Sequence, residues 1–162
     1  MKIVELIDED FINYKKASMV IGCPFCSFKC DKECGKPVCQ NGQLANARII
    51  DVFANDLAYR YISNDITDAI VFQGLEPFDS WTDSCIPEFI SIIRNQYKCH
   101  DDIVIYTGYN EDEVEDKVNI LKKNFDNIII KFGRYIPDQE SHYDKVLGVN
   151  LASPNQYAKK IS

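Results

Sequence analysis

Short runs of apolar, largely β-branched residues alternate along the chain with stretches whose apolar residues recur at helical spacing. The runs expected to form buried strands are 17–22, 69–73, 103–107 and 127–132. The stretches expected to form helices are 51–63, with Asp51 as its N-cap, 87–96 and 111–123. Near-continuous apolar strands separated by amphipathic helices predict an α/β fold in which helices cover a parallel sheet.

The number of strand and helix units limits how far such a sheet can close. With 162 residues the chain fits a single domain, residues 1–162. A closed eight-stranded barrel takes about 250 residues. The sequence therefore predicts an open, partial (β/α) barrel, in which ligands collect at the carboxyl ends of the strands. The segments that follow the four strands are the cysteine-rich loop 23–42 and residues 73–77, 107–109 and 133–135.

Five of the seven cysteines crowd into the loop 23–42. They are Cys23, Cys26, Cys30, Cys34 and Cys39. The chain opens with acidic residues where a secretory signal would carry a basic start and an apolar run, so we expect a cytoplasmic protein. Clustered cysteines in that compartment indicate metal ligation rather than disulfides. Thiolates bind iron–sulfur clusters and structural zinc alike, and their crowding does not separate the two.

Charge and hydropathy bear on the possible partners. The formal net charge of −7 argues against a broad phosphate-binding surface, so no nucleic acid partner is expected. No stretch approaches the roughly 20 apolar residues of a membrane-spanning helix, so no membrane association is expected.

Several short motifs, taken in order, resemble those of radical S-adenosyl-L-methionine (SAM) proteins, and within them the activating proteins of anaerobic ribonucleotide reductases. A Cys-x3-Cys pair follows the first strand, and Tyr106-Thr107-Gly108-Tyr109 resembles the end of a later strand in that family. The other matching motifs are Cys39-Gln40-Asn41, Gly74-Leu75-Glu76-Pro77 and Leu151-Ala152-Ser153-Pro154-Asn155-Gln156. The resemblance covers the chain from about residue 18 to the C-terminus and implies a radical SAM-like fold.

The cysteine spacing departs from the usual Cys-x3-Cys-x2-Cys of that family. The ligand that follows Cys26 and Cys30 is either Cys34, after three intervening residues, or Cys39, after eight. The match to Cys-Gln-Asn selects Cys39 and makes residues 31–38 an insertion. The resemblance thus implies Cys26, Cys30 and Cys39 as cluster ligands. Cys34 remains an alternative third ligand, and Cys23 could be a fourth ligand that closes the cluster.

The resemblance also implies the chemistry. Three thiolates would hold a 4Fe-4S cluster and leave one iron open to SAM. The reduced cluster would pass one electron to SAM, releasing methionine and a 5′-deoxyadenosyl radical. The implied protein substrate is an anaerobic ribonucleotide reductase or another glycyl-radical enzyme, and the implied electron donor is flavodoxin-like or ferredoxin-like.

The strand ends supply candidate SAM contacts. The segment Gly74, Leu75, Glu76 and Pro77 can offer carbonyl oxygens to the methionine ammonium, because glycine permits close approach of a ligand to the backbone. The other candidates are Thr107 and Gly108 for ribose or adenine, and Lys131 and Arg134 for a carboxylate or a substrate phosphate. The alternative for the two cations is a solvated surface charge.

Two other functions remain open at this point. The altered cysteine loop is compatible with a radical SAM enzyme that acts on a different small molecule or on a peptide. A non-catalytic zinc or iron–sulfur module would use four cysteines, including Cys23 or Cys34.

Overall fold

A computed structural model describes all residues from Met1 to Ser162 as ten strands and four α-helices. The strands are β1 (Lys2–Ile3), β2 (Glu5–Asp10), β3 (Ser18–Cys23), β4 (Ile50–Asp51), β5 (Ala69–Gly74), β6 (Asp102–Tyr106), β7 (Ile128–Phe132), β8 (His142–Asp144), β9 (Val149–Leu151) and β10 (Tyr157–Lys160). The helices are α1 (Lys29–Cys34), α2 (Ala54–Ile62), α3 (Ile86–Ser91) and α4 (Glu115–Asn124).

A mixed six-stranded sheet forms the centre of the fold, in the order β10-β7-β6-β5-β3-β2. Its four central strands are the predicted ones and run parallel, which confirms the α/β class. Both edge strands run antiparallel to their neighbours, so the expectation of an entirely parallel sheet is wrong at the edges. The chain joins β2 to β3 through residues 11–17 only, and a connection that short suits an antiparallel pair rather than a parallel crossover.

The predicted helices form, but the residues at which they begin and end differ from the prediction. The predicted N-cap Asp51 is wrong, because this residue pairs with Lys2 in the small sheet of β1 and β4, and Phe53 stands at the N-cap of α2. The predicted helix 87–96 is α3 together with a π-helical turn over Ile92–Gln96. The predicted helix 111–123 begins as a 3-10 turn over Glu111–Glu113 and continues as α4.

The two faces of the central sheet are covered unequally. Helices α2, α3 and α4 pack on one face and share a core of 24 buried residues with it. A core of eight residues lies on the other face, where Tyr14, Leu147 and Leu151 cover Val71 and Val104. The thinner covering leaves the strand ends accessible from this side.

None of the helices has both the length and the apolar character needed to cross a membrane.

Candidate functional site

A cleft of about 390 Å³ lies at the carboxyl ends of the parallel strands. The cysteine-rich loop 23–42 and the segments after β5, β6 and β7 contribute to its walls. Residues 12–13 and 149–152 also line it. Its volume falls at the small end of the range of ligand-binding pockets.

Three cysteines line this cleft, namely Cys26, Cys30 and Cys39. The pKa of Cys26 is raised to about 11 and that of Cys30 to about 12, mainly by burial, and the charge of Cys39 contributes to both values. The negative charges of neighbouring thiolates would repel one another. A cationic metal centre removes this penalty, because it favours the ionised form of each thiol.

The other two cysteines of the loop lie elsewhere. Cys23 ends β3 with its side chain fully buried in the helix-side core, and it does not line the cleft. Cys34 is the last residue of α1 and also lies outside the cleft lining. The structure therefore brings together the three cysteines that the sequence resemblance selected and separates them from the two alternatives.

The segment 31–38 folds as part of α1 and a return turn. Gly35 ends the helix in a left-handed conformation, with φ of 66°. A carboxylate oxygen of Asp31 then accepts hydrogen bonds from the backbone N–H of Val38 at 2.9 Å and of Cys39 at 2.8 Å. This carboxylate holds the returning chain beside the helix, so Cys39 reaches the same cleft as Cys30 despite the eight intervening residues.

The end of β5 supports the cysteine loop. The backbone N–H of Glu76 donates to the carbonyl of Phe25 at 2.8 Å, and the side-chain amide of Asn41 donates to the carbonyl of Gly74 at 2.9 Å. Gly74 has φ of 94°, and a Cβ at this position would lie 2.9 Å from the backbone nitrogen of Cys23. Only glycine allows the two segments to approach this closely.

The carboxylate of Glu76 links the ends of two neighbouring strands. It accepts hydrogen bonds from the hydroxyl of Thr107 at 2.7 Å, the backbone N–H of Gly108 at 2.8 Å and the backbone N–H of Phe78 at 3.1 Å. The residue is only 4% exposed, and burial raises the pKa of this carboxyl to about 7. The sequence predicted backbone contacts from this segment but not this role of the side chain. Pro77 is buried and is the one predicted cofactor residue outside the cleft lining.

Neither predicted cation is a solvated surface charge. Lys131 is buried in the cleft, its ammonium donates to the carbonyl of Gly133 at 2.8 Å, and burial lowers its pKa to about 8. Arg134 is buried as well and pairs with Glu113 at 2.7 Å and with Glu33 of α1 at 3.0 Å. Arg134 therefore ties the cysteine loop to the 3-10 turn that precedes α4.

The segment before β10 shapes the end of β7. The side chain of Asn155 donates to the carbonyl of Arg134 at 2.9 Å, and that of Gln156 donates to the carbonyl of Gly133 at 3.3 Å. Gln156 also accepts from the backbone N–H of Ala152 at 3.0 Å, and it lines the cleft. The predicted motif at residues 153–156 therefore lies at the site and fixes its backbone.

Two further residues line the cleft. Tyr109, the last residue of a motif singled out in the sequence, donates its hydroxyl to Asp79 at 2.6 Å, and the ammonium of Lys29 lies 4.6 Å from the centre of its ring. Asn13 lines the cleft, but it precedes the first strand of the parallel set, and only the antiparallel pairing of β2 carries it there.

The three cleft cysteines fit a cluster better than a single ion. No three His, Cys, Asp or Glu side chains in the chain are placed to hold one metal ion together. An iron–sulfur cluster is held by thiolates on different irons, so its ligands are spread around it instead of converging on one point. Three thiols that line one cleft without converging on one point are compatible with such a set.

Comparison with known proteins agrees with this reading. The model of a family described as a 4Fe-4S single cluster domain matches residues 16–153, which include the whole cysteine-rich loop and all four central strands. Searches among curated proteins and among solved structures gave no match. The match covers well over half of the chain, and the chain therefore belongs to the 4Fe-4S single cluster domain family and is an iron–sulfur protein.

Proposed function

We propose that the protein is a radical SAM enzyme with an open, partial-barrel, radical SAM-like fold. The observation that carries the proposal is that three cysteines, and not four, line a cleft of cofactor size at the strand ends. Cys26, Cys30 and Cys39 would hold the 4Fe-4S cluster and leave one iron for SAM. When bound, the cluster supplies the electron that cleaves SAM to methionine and a 5′-deoxyadenosyl radical.

The end of β5 would bind the methionine ammonium. Gly74 and Leu75 line the cleft, and their backbone carbonyls are the acceptors that an ammonium needs. The carbonyl of Gly74 already accepts one hydrogen bond, from Asn41, and a carbonyl oxygen can accept two. Glu76 does not face this ligand directly, because its carboxylate is occupied by the segment after β6, so it acts as a positioning residue.

The methionine carboxylate would pair with Lys131, which carries the one buried ammonium in the cleft lining. Burial lowers the pKa of Lys131 to about 8, which means that it disfavours the charged ammonium. A ligand carboxylate beside the ammonium would favour the charged form again. Arg134 is already paired with two glutamates and therefore positions the wall instead of neutralising the ligand.

Gly108 would present its backbone carbonyl to the ribose or the adenine, because its N–H donates to Glu76. The hydroxyl of Thr107 donates to Glu76 and accepts from the backbone N–H of Tyr109 at 3.0 Å, so it is committed within the protein. We therefore assign Thr107 to the same positioning group as Glu76.

The proposed substrate is a protein, namely an anaerobic ribonucleotide reductase or another glycyl-radical enzyme. A cleft of about 390 Å³ that holds a cofactor leaves little room for a second small molecule. A glycine on a partner protein can instead be presented at the mouth of the cleft and lose a hydrogen atom there. The proposed electron donor is a flavodoxin-like or ferredoxin-like protein.

An anaerobic assay tests this function. The reconstituted protein is mixed with SAM, dithionite and an anaerobic ribonucleotide reductase, and the glycyl radical and 5′-deoxyadenosine are both quantified. We expect both products from the wild-type protein and neither from Cys30→Ala. Formation of 5′-deoxyadenosine without a glycyl radical would indicate a different substrate. A stable cluster that never cleaves SAM would contradict the radical SAM proposal.

A further inference from the structure

The bend that follows β2 carries two adjacent apolar side chains that face solvent. Phe11 is 67% exposed and Ile12 is 79% exposed, which places them among the three most exposed large apolar side chains of the chain. Ile12 and its neighbour Asn13 also line the cleft. We call Phe11, Ile12 and Asn13 the apolar tip.

The backbone of the apolar tip is fixed. Asp10 is 8% exposed, and one of its carboxylate oxygens accepts from the backbone N–H of Ile12 at 3.2 Å and of Asn13 at 2.8 Å, and from the side chain of Asn13 at 3.1 Å. The hydroxyl of Tyr106 donates to the carbonyl of Asn13. A buried carboxylate and the last residue of β6 thus hold two large apolar side chains out in water.

We propose that the apolar tip is the docking surface for the polypeptide substrate, and that it contacts apolar side chains of the partner next to the glycine that enters the cleft. This inference rests on the proposed function and names how its substrate is held. The bound partner would cover Phe11 and Ile12, whose exposure in the free protein is otherwise unfavourable.

Three observations favour a polypeptide as the occupant. A cleft of about 390 Å³ that binds the cluster and SAM has little space left, so a substrate must be held mainly at the rim, where Ile12 lies. Rigid, adjacent apolar and aromatic side chains form the water-excluding centre of protein interfaces. The hydrogen bond from Tyr106 joins the tip to the residue that precedes Thr107 and Gly108, so the docking surface and the cofactor wall are one connected unit.

The test compares a variant of the tip with a matched control. Phe11→Ser removes an apolar side chain of the tip that does not line the cleft, whereas Phe53→Ser removes an aromatic side chain, 79% exposed, that lies outside both the tip and the cleft lining. Two quantities are measured anaerobically with dithionite. One is 5′-deoxyadenosine formed without a partner, and the other is the concentration of anaerobic ribonucleotide reductase that gives half-maximal glycyl radical.

We expect Phe11→Ser to form 5′-deoxyadenosine at the wild-type rate but to need about tenfold more reductase for half-maximal glycyl radical, in line with the loss of a central interface side chain. The control should match the wild type in both quantities. An unchanged half-maximal concentration in Phe11→Ser would overturn the docking proposal. Equal loss of both activities would also overturn it, because the tip would then support the cofactor site.

Two further outcomes separate this inference from its alternatives. If the wild-type protein is a dimer that Phe11→Ser converts to a monomer while radical formation stays unchanged, the tip binds a second copy of this chain and not the substrate. If the wild-type protein fails to cleave SAM at all, the proposed function itself is wrong and the docking proposal falls with it.

Discussion

Individual buried residues determine how the candidate site is held together. Glu76 and Lys131 are both buried among the strand ends, where an ionised side chain needs hydrogen-bond partners. Glu76 has three donors within the protein, whereas the ammonium of Lys131 has one short contact, with the carbonyl of Gly133. The carboxylate therefore belongs to the framework of the site, and the ammonium retains capacity for a ligand.

Two glycines with positive φ provide a prediction at this scale. A Cβ on Gly74 would collide with the backbone of Cys23, whereas a Cβ on Gly35 would meet no atom within 4 Å. We expect Gly35→Ala to lower the free energy of unfolding by about 1 kcal/mol, the cost of a left-handed backbone. Gly74→Ala should lower it by about 3 kcal/mol, because the steric clash adds to that cost. Chemical denaturation of the two variants measures both effects, and equal losses would refute the close approach.

The sequence predicted the site residues that lie at the ends of the parallel strands, because the carboxyl ends of such strands always share one edge. It did not predict that Glu76 points inward, since a carboxylate before a proline is compatible with a solvated turn. It also did not predict Ile12 or Asn13, because their place at the cleft depends on the pairing of an acidic edge strand, residues 5–10, with β3.

At the scale of elements, the cysteine-rich loop depends on helix α1 and its return turn. The hydrogen bonds from Val38 and Cys39 lower the pKa of Asp31 below its ordinary value, which shows that they favour the ionised carboxylate. Arg134 holds the same helix from the other side through Glu33. The insertion is therefore an ordered part of the site.

Removing the Asp31 carboxylate should weaken the binding of the cluster by Cys39, because the backbone of Cys39 loses a hydrogen bond. In Asp31→Ala the backbone N–H groups of Val38 and Cys39 lose their acceptor, so we expect several-fold faster loss of iron from the reconstituted protein under a chelator. Lys32→Ala changes the neighbouring exposed residue of the same helix and should lose iron at the wild-type rate. Iron release is followed by the visible absorbance of the cluster. Identical rates for the two variants would show that Asp31 does not hold the loop.

The sequence predicted the central strands and the helices α2 to α4 but none of the remaining elements. The central strands are continuous apolar runs that are buried on both faces. Such a run predicts a strand from its own sequence, whatever strands it pairs with. The edge strands β2 and β10 carry mostly charged or exposed residues, and β8 and β9 are three residues each, so their formation depends on the tertiary partners they pair with.

For the whole molecule, the pH dependence of stability follows from groups whose pKa values move in opposite directions. The pKa of Glu113 is lowered to about 2 by Arg134, so its contribution is present above about pH 4.5 and is lost as the pH falls. The pKa of Glu76 is raised to about 7 by burial, so between about pH 4.5 and 7 the folded state binds more protons than the unfolded state. Stability due to Glu76 therefore decreases as the pH rises through this window.

Glu76→Gln isolates this second contribution. The free energy of unfolding of the wild type should decline between about pH 4.5 and 7 because Glu76 ionises there. The amide of the variant cannot ionise, so its free energy of unfolding should not show this decline. In the wild type, backbone N–H groups donate to both carboxylate oxygens of Glu76. In the variant, the amide nitrogen replaces one of these oxygens and cannot accept a hydrogen bond. At low pH the variant should therefore be less stable than the wild type by about 1–3 kcal/mol. The difference between the two proteins should narrow as the pH rises. A constant difference across the window would show that Glu76 does not titrate there.

The central claim is that three cysteines of the cleft hold a cluster that is open to SAM. The most direct measurement is the yield of 5′-deoxyadenosine from anaerobically reconstituted and reduced protein, compared between Cys39→Ser and Cys34→Ser. The account predicts that Cys39→Ser abolishes the product and that Cys34→Ser, whose thiol lies outside the cleft, retains it. Retained product in Cys39→Ser, or its loss in Cys34→Ser alone, would contradict the account.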